Sequence, residues 1–417
     1  MSITILPTYG REAFLDWYAE NRRRSESIFD LVAPEAHLSQ PIPLRHPIVF
    51  YEGHLPAFSY ITLARKALGG PPADADLERL FQRGIDPVDS TGAQRSQPPV
   101  WPSRERIRTL AARWDAAVID ALATAPLEAI AQAAHTILEH EQMHHETLLY
   151  ILHRLPVDQL RRPAEYEPRL EGPRPKQHRV KIPAGRATLG AERDGVEFGW
   201  DNEFEACRVK VPAFAVDAHS VTNGDYIRAV EAGAQTPPFW VRRGDEWMLR
   251  TLFEEIPLPL SWPVYVTRDQ AISYAARSGG RLLREAEYHR AAYGTADGTE
   301  RLFPWGAQTP DATHGTFDFE RYDPAPAGAH PAGESAFVIH DLVGNGWEWT
   351  ATAFEPLPGF SPLPTYPQYS ADFFDGAHYV VKGASPVTAR SLIRRSFRNW
   401  YRTNYPYVYA KFRCAYD

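Results

Sequence analysis

The sequence predicts an α+β chain of more than one domain: a helical N-terminal part, then a mixed domain with irregular loops. Three observations carry this. Up to about Leu155 the apolar residues recur at helical spacing in long segments flanked by capping residues. The stretch LPVDQLRRPAEYEPRLEGPRPKQ that follows is rich in proline and charge and reads as a linker. Beyond about Lys176 the segments are short, interrupted by glycine and proline, and rich in Trp and Tyr. Residues 1–157, 158–176 and 177–417 are therefore expected as helical domain, linker and second domain. A chain of 417 residues, 44% hydrophobic, is long enough to bury two cores.

In order along the chain, REAFLDWYAENRRRSESIFDLV places Phe14, Tyr18, Ile28 and Leu31 at roughly helical spacing and predicts a first amphipathic helix. A loop with Pro34, Pro41 and Pro43 leads to HPIVFYEGHLPAFSYITLARKAL, dominated by aliphatic and aromatic side chains, which reads as a buried helix kinked at Pro56. From Gly69 to Pro102 the chain is loop-rich, with a short helix around Asp76 to Arg83. Ser103 is expected to cap a third long helix, RERIRTLAARWDAAVIDAL, and Thr124 a fourth, with Pro126 and Glu128 in its first turn, running to about Leu155. Four such helices with apolar seams predict a four-helix bundle.

The net charge of −7 and pI near 6.1 argue against nucleic acid as partner. The basic spots at Arg22 to Arg24 and Arg394 to Arg398 are short and flanked by acids or aromatics. Only two cysteines, Cys207 and Cys414, are present and lie far apart, which suggests neither a disulfide framework nor a thiolate metal site. No run of about 18 apolar residues occurs, and MSITILPTYGREAF lacks the pattern of a signal peptide. A soluble, cytoplasmic protein is expected.

The fourth helix concentrates unusual side chains, in HTILEHEQMHHETLLYILHR. His140 and His144 are four residues apart and share one helix face, so two imidazoles can reach one metal ion. Glu146 lies about 200° round the helix from His144 at 100° per residue, and is expected outside the metal's immediate ligands. Bundles build metal sites from facing helices, which directs attention to His54 in FYEGHLPAF. Among so many apolar neighbours His54 needs a metal or another partner, and a backbone carbonyl would serve equally. Three neutral nitrogen ligands suit iron or zinc.

The second domain carries AVDAHSVTNGDYIRAV, PVYVTRDQAISYAARSGGRLLREAEYHRAAYG, FPWG, DLVGNGWEW, VVKGAS and SFRNWYRTNYPYVYAKFR in that order. It resembles the domain related to formylglycine-generating enzymes, which implies a C-type-lectin-like fold from about residue 178 to 417. Those enzymes need a reactive cysteine pair after the GGS-type motif. GASPVTARSLIRRSFR has none, so that activity is not expected.

YEGH followed by HEQMHHETLLY resembles the helical domain fused to this fold in the ergothioneine and ovothiol sulfoxide synthases and the selenoneine synthases. These are mononuclear non-haem iron enzymes with an H-x3-H-x-E motif and one upstream histidine. The resemblance implies Fe(II) at His54, His140 and His144, dioxygen as co-substrate, and hercynine, the trimethylated betaine of histidine, as acceptor. It also implies betaine contacts from Asn399 and Trp400. A quaternary ammonium suits aromatic walls, which Trp400, Tyr401, Tyr405 and Tyr407 could supply, although each could equally be core. A tyrosine from the loop before the GGS-type motif is implied as proton donor for oxygen reduction, Tyr369 first and Tyr366 second. Either could instead be a packing residue.

Departures from the family pattern bear on the donor. Met143 stands where common ergothioneine synthases have glutamine, and Tyr401 stands where an acidic residue and a spaced arginine help to hold γ-glutamylcysteine. Both are counted among the substrate-facing positions. LFQRGIDPVDSTGAQRSQPP replaces an arginine-rich loop, and Asp86, Asp89, Ser90, Thr91 and Gln94 with one arginine suit sugar hydroxyls better than two carboxylates. The expected reaction is carbon–selenium bond formation between hercynine and a selenosugar. The alternatives are a carbon–sulfur bond from cysteine or γ-glutamylcysteine, and a non-catalytic binding module.

Overall fold

In the computed structural model, residues 9–82, 98, 100–168 and 172–417 are described, and the chain divides into two compact units with the boundary in sequence between Tyr166 and Glu167. Helices α1 (Arg11–Asp30), α2 (Ile48–Ser59), α3 (Ala75–Phe81), α4 (Arg104–Thr124) and α5 (Leu127–Leu152) build the first unit. Helix α2 continues as a π-helix over Tyr60–Ala67, where the Leu68 N–H donates to Leu63 five residues back. Pro56 lies one turn earlier; it has no N–H to give to the carbonyl of Glu52.

Helix α5 is the centre of this unit. From Ala133 to Tyr150 most of its circumference is buried, as expected of a helix with neighbours on several sides. It packs on α1, α2 and the π-helical turn, while α4 packs on α1, α2 and that same turn. The stripe Ile107, Leu110, Ala111, Trp114, Val118, Ala121 and Leu122 is the buried face of α4. Phe14, Tyr18 and Ile28 are buried on α1, and Leu31 just beyond it, as their spacing predicts.

Side-chain caps open two of these helices, α3 and α4. Ser103 accepts from the Arg106 N–H at 3.3 Å and Asp74 from that of Leu77 at 3.1 Å. Thr124 does not cap the next helix: it is the last residue of α4, its hydroxyl donates back to Asp120 at 2.8 Å, and Pro126 holds the N-cap position of α5. Residues 158–166, expected as linker, fold onto the helical unit. Val32 bridges Leu160, and the Arg161 N–H donates to Leu31 at 2.7 Å.

The second unit is an assembly of small sheets. Strands β1 (Arg179–Ile182), β4 (Phe214–Asp217) and β12 (Ala415–Tyr416) form one sheet in the order β1-β4-β12. Strands β2 (Gly185–Leu189) and β3 (Cys207–Val211) pair antiparallel, and β5 (Trp240–Arg243), β6 (Glu246–Arg250) and β7 (Glu255–Pro257) make a three-stranded sheet. The largest has the order β10-β9-β8-β11 and contains β8 (Gly346–Ala353), β9 (His378–Ala384), β10 (Asn399–Arg402) and β11 (Ala410–Lys411). Thr222 and Thr267 open helices α6 (Asn223–Glu231) and α7 (Arg268–Arg277) with capping boxes closed by Asp225 and Gln270. Helix α8 (Glu285–Tyr293) lies on β2 and β3 and buries Tyr288, Ala291 and Ala292 in a core with Ile182, Val216, Leu283 and Ala415.

Several buried charges in this unit are paired. Glu348 on β8 accepts from Lys411 Nζ at 2.8 Å and Arg413 Nε at 2.7 Å, with all three side chains shut off from solvent. Arg394 forks onto Glu203 and Arg398 onto Glu285, while Arg395 reaches Glu300 at 3.2 Å. The arginine-rich spot at 394–398 is thus engaged inside its own unit. No helix among the described residues is long and apolar enough to cross a membrane.

Candidate active site

Helix α5 presents His140 and His144 to α2, which presents His54. All three are buried, and one nitrogen from each lies within 4.8 Å of the others. Ring centroids are 5.3 Å apart for His54 and His140, 5.0 Å for His54 and His144, and 4.5 Å for His140 and His144. Glu146 is buried on the same helix but does not belong to this cluster.

The two readings of His54 are compatible. Its Nδ1 lies 2.6 Å from the carbonyl oxygen of Phe81, which can only accept, so Nδ1 carries the proton. The lone pair then resides on Nε2, a buried atom with no hydrogen-bond partner among the described residues. A histidine whose far nitrogen is tied to a carbonyl is oriented for metal coordination. His144 Nδ1 is likewise buried with no such partner. Burial pushes the His54 imidazole down to about 4 against the pull of the Phe81 carbonyl. Burial also holds His140 and His144 well below the ordinary histidine value, reinforced at His140 by His54 and at His144 by His140, His54 and Arg45. Three neutral nitrogens in an apolar enclosure fit a divalent transition metal and leave its other positions open.

Aromatic rings fix the imidazoles. Phe58 stacks on His140 at 3.5 Å and 11°, Phe50 on His54 at 5.0 Å and 21°, and Tyr51 lies 5.8 Å from His144. The adjacent His145 is turned away by the 100° helical step. Its Nε2 lies 2.9 Å from Ser25 Oγ, which also donates to Glu141 at 2.6 Å, and Arg22 closes this group on Glu141 at 2.7 Å. His135 faces Tyr9, Phe14 and Trp17 instead. Sequence reasoning missed Phe81 and Arg45, and it read Phe58 as a neighbour of His54 without its stacking on His140. The glycine before His54, inside a helix, was the one available signal of a close approach.

Helix α2 is itself held in place by charge. Glu52 accepts from Arg104 at 2.7 and 2.8 Å and from Arg108 at 3.0 Å; burial raises its carboxyl but the two arginines outweigh this and hold it low.

The other expected site residues lie in the second unit, except Met143, which is half-buried on α5. Trp400 stacks on Phe354 at 4.1 Å and 9°, with Phe373 at 5.5 Å and Tyr369 edge-on at 5.4 Å. Tyr369 stacks on Trp200 at 4.0 Å, and Tyr366 lies 5.8 Å from Tyr369. Asn399 and Tyr401 point the other way: Asn399 Nδ2 donates to the Tyr401 hydroxyl at 3.1 Å, and Tyr401 stacks on Tyr405 at 6.0 Å. Strand alternation on β10 therefore assigns Trp400 to one face and Asn399 with Tyr401 to the opposite one. The loop from Asp86 to Arg95 lies outside the described residues.

Residues 167–417 match the family described as the sulfatase-modifying factor enzyme 1-like domain. A hercynine oxygenase of Mycobacterium tuberculosis is 32% identical over 90% of this chain and 92% of its own length, and one of Mycolicibacterium smegmatis is 30% identical over 98% and 99%. Ergothioneine biosynthesis protein 1 of Neurospora crassa is 29% identical across the whole chain, which spans 59% of that protein's length. With a domain match over more than half its residues and relatives covered almost end to end, this chain belongs to the ergothioneine-type family of enzymes.

Proposed function

We propose that this chain is a hercynine oxygenase that binds one Fe(II) at His54, His140 and His144 and uses dioxygen to bond sulfur to the imidazole ring of hercynine. The observation that carries this reading is the convergence of three buried, neutral imidazoles, with the far nitrogen of His54 already committed to a carbonyl. The similarity to hercynine oxygenases and to an ergothioneine biosynthesis protein supports hercynine as acceptor and sulfur as the incoming atom, ahead of the selenium expected from the departures in sequence. When bound, Fe(II) supplies the redox chemistry with dioxygen and a position for a soft thiolate. The chain's own residues hold and exclude. Phe50, Tyr51 and Phe58 keep water from the imidazoles, and the half-exposed Trp400 offers the face not covered by Phe354 to the trimethylammonium group. On that same face Tyr369, with Tyr366 as second choice, holds a transferable proton, while Asn399 and Tyr401, on the opposite face of β10, form the alternative polar site for the betaine.

A selenosugar donor is the second reading. It is favoured by Tyr401, which pairs with Asn399 and Tyr405 where thiol-donor enzymes carry an acidic residue and a spaced arginine. The test is turnover of hercynine in air by the Fe(II)-reconstituted protein with cysteine, γ-glutamylcysteine or a 1-seleno sugar, the products read by mass spectrometry. A carbon–sulfur product formed with the highest kcat/KM supports the proposal. A larger kcat/KM with the seleno sugar transfers it to selenium, and no product from any donor overturns it.

A further inference from the structure

We infer that Gly53 and Phe81 act together as a positioning pair for His54, an inference that rests on the metal reading of the histidine cluster. Gly53 is a glycine in the interior of a buried helix, where it is less favourable than alanine because it loses more backbone freedom on folding. Nothing about its place in α2 calls for backbone freedom. What calls for glycine is a ring. A Cβ at residue 53 would lie 2.7 Å from Phe81 Cδ1 and closer still to Cε1 and Cζ, inside the range that real Cβ contacts avoid. The Phe81 ring is wholly buried and is also bounded by Phe50 at 6.1 Å and, edge-on, by Trp114 at 6.4 Å.

Phe81 is the last residue of α3. Its carbonyl is among the terminal ones that a helix leaves without an internal donor. Seating the ring against Gly53 brings that carbonyl to the His54 Nδ1–H at 2.6 Å and so aims Nε2 toward His140 and His144. Residue 53 is thus linked to the cluster through a neighbouring helix, by the absence of a side chain. An alanine there must displace Phe81, and the carbonyl moves with it.

The test uses Co(II), titrated into the metal-free full-length protein. Gly53→Ala is expected to raise the Co(II) Kd about 10- to 100-fold, the usual scale for losing a partner of a metal-bound histidine, with far-UV circular dichroism unchanged. In a Phe81→Ala background, where no atom beyond Cβ remains to meet residue 53, the same substitution should change Kd by less than about threefold. An unchanged Kd in Gly53→Ala, or an equal loss in both backgrounds, overturns the inference. Wild-type protein that takes up no Co(II) overturns the metal reading instead. One measurement needs no variant. The Co(II) protein should show a paramagnetically shifted, slowly exchanging proton from His54 Nδ1–H, and its absence, while the other histidine signals are present, overturns the pairing with Phe81.

Discussion

His140 and His144 are the residues for which sequence is most informative, because an i, i+4 pair on a helix shares a face whatever surrounds it. Replacing either with alanine should abolish stoichiometric iron binding and activity together, measured by metal analysis and hercynine turnover; iron retained in His140→Ala would remove it from the ligand set. His54 was legible only as a histidine in need of a partner. The partner is supplied by α3, 27 residues further on, and no local spacing encodes that. Trp400 illustrates the opposite limit. Its position in a motif suggested a companion role with Asn399, yet the two-residue repeat of a strand sets them back to back. Trp400→Ala should raise the hercynine KM roughly 2- to 30-fold, matching about 0.5–2 kcal/mol for a cation–π contact, with kcat little changed. An unaltered KM would send the betaine to the Asn399 and Tyr401 face.

Among the elements, long amphipathic helices were legible because their buried stripes repeat over several turns, as on α4 from Ile107 to Leu122. Their ends were less so. Ser103 caps as its residue type suggests, but Thr124 satisfies its hydroxyl within the helix it ends, an option open to any threonine with a carbonyl four residues back. The segment 158–166 reads as linker by composition and is nonetheless fastened by backbone bonds to residues 31–33. How α2 is oriented against α4 rests on the Glu52 fork. Arg104→Leu should lower stability by about 2 kcal/mol in a denaturant titration, since two charge-assisted bonds to a buried carboxylate are lost. The Arg108 contact should keep the helix in place and preserve metal binding.

On the scale of the whole molecule, the division into helical and mixed units follows from composition, while the order of strands in the second unit does not, because β1, β4 and β12 are brought together from distant parts of the chain. The ion triad on β8 gives this unit its acid limit. Burial raises the Glu348 carboxyl, and Arg413 and Lys411 outweigh it, holding the group at about 2 against an ordinary 4.5. A depressed carboxylate stabilises fully above its unfolded value and loses that contribution as pH falls toward its folded one. The melting temperature should therefore hold from pH 7 to about 5 and drop below, as a contribution on the order of 3 kcal/mol is withdrawn. Glu348→Gln should lower the melting temperature at pH 7 by stranding two buried cations, and flatten that acid slope. The same triad bears on synthesis. Glu348 is made more than sixty residues before Lys411 and Arg413, and Ala415 belongs to the core. Ribosome-stalled chains ending near residue 400 should stay protease-sensitive in this unit, because a buried carboxylate without counter-charges cannot close the sheet around itself. The sheet can close only once the segment that carries Lys411, Arg413 and Ala415 has left the ribosome.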